Sequence, residues 1–434
     1  YSYADRYLFQ ANIRHDGSSR FAKKHRWGTF PSFSAGWVLS EENFMKNLNW
    51  DWLSFLKIRA TWGALGNERI GDFPYMSTIA FGNTIFYQNN GIYFDQTASQ
   101  QKYAIENVTW EKTESTDIGL DISFLNNRLR VNGDYYWKNT KDMLLAMAIP
   151  DFLGFSDPDV NAGKMSTKGY ELNVSWNDHI GDFSYGIAIN FSDFTSKMGD
   201  LQGTQFLGDK VKMEGSEFNE WYGYVSDGLF LTEEDLKNSP KINDKNTQLG
   251  DIKYKDISGP DGVPDGKISP EYDRVLLGSS LPHFLYGGNI NLGYKNFDLS
   301  LAFQGVGKQN ARLAREMVEP FRNNYGNFPA IIDGNYWSPY NTDEQNAVAK
   351  YPRLTHVNKS SNYAMSDYWL FNGGYFRLKN VTLGYTFPKE WMKAIGIKGA
   401  RIYASASDLF CLNNYPKGWD PEMGVSEYPI TTSI

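Results

Sequence analysis

Cysteine and long apolar runs are what this sequence most clearly lacks. The single cysteine among 434 residues, Cys411, has no partner for an internal disulfide and no neighbouring cysteine for a metal site. We therefore expect a small residue at a strand end rather than a reactive thiol. No run of about 18 apolar residues occurs, which excludes a transmembrane helix. The chain has only 5 His, none in a HisGluXXHis or triad-like arrangement, so the sequence predicts no enzyme.

Clustered charge is also missing, whereas aromatic residues are abundant. The net charge of -7 is modest and no stripe of Lys and Arg occurs, which argues against a nucleic-acid partner. The 28 Tyr, 28 Phe and 13 Trp together make 16% of the chain. Aromatic girdles at the two interfaces of a membrane β-barrel would account for that share. The low mean hydropathy does not oppose a barrel, because alternating strands and polar loops average to a hydrophilic value.

Polar and apolar residues alternate between Arg128 and Thr140. Successive side chains of a strand point to opposite faces, so this segment predicts a strand with one polar and one apolar face. About eleven such segments recur, from residues 7–13 to residues 401–410, each long enough to cross a bilayer as a tilted strand. A further strand is expected from about Tyr428. A soluble β-sandwich and a membrane barrel both produce such strands, so the connections must distinguish them.

The connections between these segments alternate in length. The tight links are residues 126–127, 177–181 and 295–296, and the very long ones are residues 64–112, 196–282 and 307–373. Short turns at one end and long loops at the other are typical of a transmembrane barrel, whereas a sandwich or propeller predicts short loops on both sides. Two short-side links look helical: we expect Ser40 to cap one and Pro388 to begin the other.

Several stretches carry a family resemblance. In chain order they are RHDGSSRF (14–21), GTFPSFSAGW (28–37), LKIRATWGALGN (56–67), WEKT (110–113), NAGK (161–164), KGYEL (168–172), FRLKNVTLGY (376–385), DLF (408–410) and GWDPE (418–422). Together they resemble the outer-membrane nutrient transporters typified by the starch-utilisation protein SusC and by RagA, a TonB-dependent family of the Bacteroidetes. The resemblance covers nearly the whole chain. Departures are minor: His15 stands where the family often has a small residue, and Trp62 stands where Tyr is common.

The resemblance implies an all-β fold, an antiparallel transmembrane β-barrel with long extracellular loops. Residues 1–434 would be the C-terminal half of a 22-stranded TonB-dependent transporter barrel, with the N-terminal extension, the plug and the first strands absent. The polar face would line the passage, for example through Arg130, Asp134, Lys138, Glu171, Asn173 and Asn289. The apolar residues from Leu129 through Trp137 would contact lipid.

The resemblance also implies a function and partners. The protein would import an oligosaccharide or oligopeptide across the outer membrane of a Gram-negative bacterium. A SusD-like surface lipoprotein would cover the mouth, and TonB-ExbB-ExbD would act through the absent N-terminal region. A dimer of two such transporter and lipoprotein units is left open. The rival interpretation is an outer-surface glycan-binding or adhesin β-protein without transport.

Candidate substrate-binding residues lie in the long loops, where aromatic rings occur among Asn, Asp and Gln. An aromatic face can stack on a sugar ring while amides and carboxylates bind hydroxyls, and the same residues can bind a peptide. Buried loop core is the alternative for every one of these rings. The candidates are Tyr87, Tyr93, Trp110, Trp221, Tyr222, Trp337, Trp369 and Trp419.

One acidic segment, residues 256–273, resembles a calcium loop. Calcium takes six to eight oxygens, and closely spaced carboxylates around a Gly turn supply them. The ligand candidates are Asp256, Asp261, Asp265, the Lys267 carbonyl and Asp273. Val263 and Tyr272 stand where ligands belong, so the match is imperfect. No cofactor is required; a structural calcium and a metal-free turn both remain open.

Overall fold

The computed structural model describes residues 1–88, 91–100, 102–147, 149, 151–201, 203, 205, 207–243, 245–322, 326–423 and 432–433. Among these residues, no helix has both the length and the apolar character needed to cross a membrane. Tyr428, the expected start of a further strand, lies outside them.

Strands provide most of the regular structure. In chain order they are β1 (Ser2–Tyr3), β2 (Tyr7–Gly17), β3 (Trp27–Val38), β4 (Leu53–Asn67), β5 (Ile79–Gln88), β6 (Gly91–Gln100), β7 (Glu111–Phe124), β8 (Leu129–Lys141), β9 (Leu144–Ala146), β10 (Asp159–Asn161), β11 (Lys164–Ile180), β12 (Phe183–Met198), β13 (Lys210–Val211), β14 (Glu220–Tyr224), β15 (Ser226–Leu229), β16 (Ile252–Tyr254), β17 (Arg274–Leu276), β18 (His283–Tyr294), β19 (Phe297–Lys308), β20 (Asn310–Arg312), β21 (Leu370–Asn372), β22 (Tyr375–Thr386) and β23 (Arg401–Asn413).

Helices in the described part of the chain are short. They are α1 (Asn43–Lys46), α2 (Glu233–Asn238), α3 (Arg315–Val318), α4 (Asp343–Ala347), α5 (Lys359–Asn362) and α6 (Lys389–Ala394), with 3-10 turns at Leu39–Glu41, Asp151–Leu153, Ala330–Ile332 and Asp367–Trp369. The backbone groups into two compact units. Unit 1 comprises Tyr1–Leu172, Phe194–Thr204 and Met213–Gly215, and unit 2 comprises Asn173–Asp193, Gln205–Lys212 and Ser216–Ile434.

The main sheet has 12 strands in the order β1-β2-β3-β4-β7-β8-β11-β12-β18-β19-β22-β23. Apart from the two-residue β1, these strands coincide with the alternating segments expected from the sequence. The strand pairs within each unit are antiparallel; Leu129, for example, is opposite Phe124 and Tyr294 is opposite Phe297. The all-β, antiparallel prediction is confirmed.

Of the three tight links, residues 295–296 join β18 to β19 as expected, whereas the other two differ from the expected links in extent. The link from β7 to β8 comprises residues 125–128 instead of 126–127. Leu125, Asn126 and Asn127 have positive φ angles there, which Asn tolerates better than most residues. The link expected at residues 177–181 is wrong in its extent, because β11 continues to Ile180. The turn to β12 begins at Gly181, whose φ of 59° suits a residue without a side chain.

The two helical links are present, but one is capped differently. Ser40 lies inside the 3-10 turn instead of before it, and the N-cap positions of that turn and of α1 make no side-chain hydrogen bond. The expected Ser40 cap is therefore wrong. α6 begins directly after Pro388 as expected, since a proline has no N–H group that needs a partner there.

The long connections are folded. The connection from β4 to β7 contains the hairpin of β5 and β6, and the one from β12 to β18 contains β13 to β17 with α2. The connection from β19 to β22 contains β20, β21 and α3 to α5. A further long connection, from β8 to β11, contains β9 and β10 and had no clear signal in the alternation pattern.

A hydrophobic core lies in the connections of unit 2. Trp369 is only 2% exposed and packs with Tyr363, their ring centroids 4.8 Å apart. Ile252, Leu313 and Ile332 belong to the same cluster. Burying such side chains stabilises by about 1.5–3 kcal/mol each. These connections therefore hold their side chains in defined positions, as a binding surface requires.

Candidate functional site

The residues on the apolar face of the main sheet are exposed or half-buried along whole rows. In unit 1, one row runs from Tyr7 through Trp37, Ile58 and Leu120 to Gly133, across β2, β3, β4, β7 and β8. Leu120, in the middle of this row, is 40% exposed. Soluble monomers rarely present contiguous apolar patches of this kind, whereas the outer face of a membrane barrel consists of them.

Unit 2 has an equivalent row. Ile187 of β12 is opposite Ile290, Ile290 is opposite Leu301, and Leu301 is opposite Val381. Ile187 is 37% exposed although it lies in the middle of a long strand. The registers of both units thus keep apolar residues together on one face, which is the arrangement that lipid contact requires.

Aromatic rings gather where the strands meet the tight links. In unit 1, Trp52 stacks between Trp50 and Phe124, with ring centroids 5.2 and 5.7 Å away. In unit 2, Phe297 packs against Tyr385 at 4.7 Å. Aromatic side chains favour the interface between lipid and water, and clusters of this kind are what the predicted girdle requires.

The opposite face of unit 1 carries a cluster of charges. Nη1 of Arg59 lies 2.6 Å from Oδ1 of Asp134 and 3.6 Å from Oδ1 of Asp117, and its Nε lies 3.3 Å from Oδ2 of Asp121. Asn132 donates a hydrogen bond to Asp121 at 2.8 Å. Charges at this density need water around them, because their desolvation in hydrocarbon is costly.

The predicted lining residues follow the same alternation. Arg130 and Lys138 share the face of Asp134, opposite Ser123 and Ser115 of β7. Asn289 is exposed and lies opposite Ala188 and Ala302, on the reverse side from Ile290. Glu171 and Asn173 alternate with exposed Tyr170 and Leu172 along β11, which places them on the opposite face from these two. The lining residues predicted from the sequence did not include Arg59, although its position on the polar side of the alternating segment LKIRATW could have predicted it.

Three of the predicted binding aromatics are buried loop core. Trp110, Trp221 and Trp369 each donate their indole N–H to a main-chain carbonyl, of Arg26, Asn310 and Asn362 in that order. All three rings are less than a tenth exposed. The loop-core alternative therefore describes these three in this structure, because a satisfied and buried ring offers no face to a ligand.

The other predicted aromatics reach the surface. Tyr87 and Tyr93 are exposed on the hairpin of β5 and β6. Tyr222 is half-buried, with the Arg274 guanidinium 4.5 Å from its ring centroid. Trp337 lines a cleft of about 710 Å³ together with α2 residues, and Trp419 lines another of about 820 Å³. The structure thus brings Trp337 and Trp419 into concave sites, the usual shape of ligand sites.

A buried polar network supports the first of these clefts. Asp251 is completely buried and accepts hydrogen bonds from Nε of Arg353 at 2.7 Å, Nδ2 of Asn358 at 2.8 Å and Nδ2 of Asn362 at 2.8 Å. Nearby, the Tyr254 hydroxyl donates to the Ser361 carbonyl at 2.6 Å, and burial raises the pKa of this hydroxyl well above its usual range. Fully paired groups of this kind fix the positions of the segments that carry them. No sequence motif predicts this network.

The hairpin of β5 and β6 has one apolar face without a covering layer. Pairing places Phe81, Ile85 and Phe94 on this face, with Tyr87 opposite Ile92. Phe81 is 79% exposed, and its neighbours are exposed as well. An isolated two-stranded hairpin is at best marginally stable in water, and exposed apolar patches mark interaction sites. The alternation of residues 79–88 could have predicted this hairpin from the sequence.

The acidic segment 256–273 is ordered by its own main chain. Asp273 is completely buried and accepts hydrogen bonds from the N–H groups of Ile257, Ser258 and Ser269. Asp256 accepts from the Gly266 N–H at 2.6 Å.

The remaining candidate ligands of this segment are not gathered around Asp273. Asp265 accepts from the Lys267 N–H at 3.0 Å, and Asp261 lies on an exposed part of the loop. In the described ranges, no group of three or more His, Cys, Asp and Glu side chains is placed to hold a metal ion. Calcium binding by this segment stays a prediction.

Comparison with known proteins extends over nearly the whole chain. The family model described as TonB dependent receptor-like, beta-barrel, matches residues 1–409. TonB-dependent receptor P3 of Formosa agariphila is 31% identical over 446 residues, which cover 97% of this chain and 41% of that protein. TonB-dependent receptor SusC of Bacteroides thetaiotaomicron is 31% identical over 451 residues, covering 100% of this chain and 42% of that protein. The chain thus spans about two fifths of the length of these relatives.

A solved structure shares the fold. The RagAB peptide transporter structure superimposes with a TM-score of 0.77 over 96% of this chain and 43% of that chain, at 22% sequence identity. The RagAB peptide importer in its open-open state superimposes with a TM-score of 0.75 over the same share of this chain.

Proposed function

Because the chain belongs to the family of TonB-dependent receptor β-barrels, we propose that it forms part of the wall and the extracellular loops of a channel importing an oligomeric nutrient. The family consists of transporters, and the chain lies in the bacterial outer membrane. The two-faced sheet carries the proposal, with exposed apolar rows on one side and the Arg59 cluster on the other. The nutrient would be a glycan or a peptide.

The polar face would form the hydrated route. Arg59, Asp134 and the lining residues beside them keep water along the inner wall, since a bare apolar wall would oppose the passage of a hydroxyl- or amide-rich molecule. The relatives support both substrate classes, since the chain is similar in sequence to SusC and in fold to a peptide transporter.

A SusD-like surface lipoprotein is the proposed partner at the extracellular side. It would cover the mouth, capture the nutrient and pass it to the channel. The hairpin of β5 and β6 offers a docking surface, because the exposed apolar face around Phe81 and Phe94 would be buried in such a contact. Two transporter and lipoprotein units would pair into a dimer.

Energy would come from TonB-ExbB-ExbD. This complex would act on a part of the full-length protein outside residues 1–434 and open the passage, while the sheet described here stays in place as its wall. A calcium ion in segment 256–273 would serve only to stabilise that loop.

Deleting the tonB gene tests this function in cells that make the full-length protein. We expect uptake of the radiolabelled nutrient to be abolished while binding of the nutrient to the cell surface is kept. Uptake that continues undiminished would contradict energised import. Surface binding without uptake in the parent strain would instead support the adhesin or glycan-binding alternative.

A further inference from the structure

The cleft beside α2 in unit 2 combines aromatic rings with a few polar side chains. Its volume is about 710 Å³, and its lining includes Glu233, Gln248, Trp337, Tyr340 and Arg353. We propose that this cleft is a binding subsite for an uncharged oligosaccharide. The inference rests on the proposed function only in that it places these loops outside the cell.

Trp337 is fixed from behind by a glycine. A Cβ atom added to Gly250 would clash with Cδ2 and Cε3 of Trp337, so the indole rests directly against the glycine backbone. Gly250 has a φ of 82°, donates its N–H to Phe230 and accepts the N–H of Arg353. The back of the cleft is therefore rigid. The indole N–H of Trp337 has no acceptor among the described residues and is free to bind a ligand oxygen.

Tyr340 is presented by an equally rigid turn. Its side chain is 96% exposed, and its N–H donates to the Ser338 hydroxyl. Asn346 holds the turn, since it accepts the Ser338 N–H at 3.0 Å and donates to the Ser338 carbonyl at 2.9 Å. Thr342 and Gln345 then close a capping box at the start of α4. An aromatic ring on a fixed backbone loses little conformational freedom on binding, which favours affinity.

The charges of the cleft favour a neutral ligand. Arg353 is neutralised by Asp251, with Nε 2.7 Å from Oδ1 and Nη2 3.1 Å from Oδ2. Glu233 has no ion pair or side-chain hydrogen bond within the described ranges. An anionic ligand would therefore meet an uncompensated carboxylate, and no unpaired cation among the lining residues would attract it.

The polar groups of the cleft match hydroxyls better than peptide groups. Glu233 only accepts hydrogen bonds, the Trp337 indole and the Arg353 guanidinium only donate, and the Gln248 amide does both. Sugar hydroxyls also do both, and the apolar faces of sugar rings can lie on Trp337 and Tyr340. A peptide that binds by strand addition would need a strand edge, and none of the lining residues lies in β1 to β23.

Calorimetry on the full-length protein, purified in detergent with its native loops, tests the proposal. The probes are cellohexaose, xylohexaose and mannohexaose, with hexagalacturonate as an anionic sugar and a Lys-Gly hexapeptide as a cationic peptide. We expect at least one uncharged hexasaccharide to bind. Trp337→Ala should weaken that binding about tenfold and Tyr340→Ala about fivefold, because each removes a stacking surface.

Two further variants sharpen the result. Trp391→Ala removes an exposed indole of α6 and should leave binding unchanged. Glu233→Gln removes the charge and replaces one acceptor oxygen by an amide donor, so it should weaken the binding of an uncharged sugar less than Trp337→Ala does. Tyr340 packs against so little of the protein that its replacement will not impair folding.

Several outcomes would overturn the proposal. One is that no uncharged hexasaccharide binds, and another is that Trp337→Ala and Tyr340→Ala bind as tightly as the wild type. Binding of the Lys-Gly peptide that is lost in Glu233→Gln and Trp337→Ala would assign the cleft to cationic peptides instead. Uptake that does not need TonB would overturn the proposed function and leave the cleft result standing. TonB-dependent uptake together with wild-type sugar binding by Trp337→Ala and Tyr340→Ala would overturn the cleft proposal and leave the proposed function standing.

Discussion

Asp251 shows how much of unit 2 depends on a single buried carboxylate. Its two oxygens bind Arg353, Asn358 and Asn362, and Oδ2 also accepts the N–H of Gln248. These residues come from separate segments of the long connections. A carboxylate is needed because only a charged acceptor with two oxygens can satisfy so many donors at once.

Replacing Asp251 with Ala should therefore destabilise the loops strongly. Arg353 would be left with an unpaired charge, and a broken buried pair costs about 3–5 kcal/mol. The effect would be measured by thermal denaturation, with cleavage of the loops by a protease as the readout. The matched control is Asp333→Ala, an exposed aspartate without a side-chain partner in the described ranges, which should change stability by less than about 0.5 kcal/mol. Equal melting curves for the two variants would contradict a structural role for Asp251.

The strands of the main sheet have two faces with opposite requirements. Ile187 and Ile290 are opposite each other on the apolar face, whereas Asn289 lies on the polar face next to Ile290. Because side chains alternate, one residue along a strand separates a lipid-facing position from a water-facing one.

This difference predicts unequal effects of the same new residue. Ile187→Arg should cost about 2–4 kcal/mol, the penalty for an Arg at the lipid face near the bilayer midplane. Asn289→Arg should fold and insert like the wild type. Urea titration of folding into lipid vesicles would measure both. Wild-type insertion of Ile187→Arg would refute lipid contact for this face.

Segment 256–273 is an element whose order comes from hydrogen bonds to the main chain. Asp273→Ala would leave three buried or half-buried N–H groups without an acceptor, and we expect the loop to lose about 1–3 kcal/mol of stability. Limited proteolysis would show cleavage within the segment. Addition of EGTA to the wild type serves as the comparison: the same cleavage pattern would support a structural calcium, and no change would support the metal-free turn.

At the scale of the whole molecule, the sheet and the loops have different roles. In each unit the sheet has an apolar face and a polar face, and the folded connections carry the clefts and the exposed hairpin. The hairpin is the proposed docking surface, since Phe81 and Phe94 lie on one face that nothing in the described ranges covers.

A charged residue on that face should weaken the binding of the proposed lipoprotein and leave the folding of the barrel unchanged. In Phe81→Asp and Phe94→Asp we expect the amount of the proposed lipoprotein partner that co-purifies to fall at least about tenfold, because a carboxylate would be desolvated in the contact. Ser99→Asp, on the opposite face of the hairpin, should retain it. Native purification from outer membranes followed by mass spectrometry would quantify the partner. Undiminished recovery with both Phe variants would exclude the hairpin as the docking surface.

The sequence by itself determined the strands of the main sheet, their two faces and the family. Alternation depends only on local geometry, so the face of Leu120 or Ile187 can be predicted without knowing its neighbours. The tight links followed from the same pattern, although the extents of the links at residues 126–127 and 177–181 and the cap at Ser40 were wrong.

Only the tertiary structure decided which loop aromatics reach the surface. Trp369 and Trp337 look alike in the sequence, yet one is core and the other lines a cleft. The difference arises because Asp251 and Arg353, about a hundred residues apart along the chain, form a buried pair beside Gly250, against which Trp337 rests. Burial in a long connection is set by contacts between distant segments, and no local pattern records them.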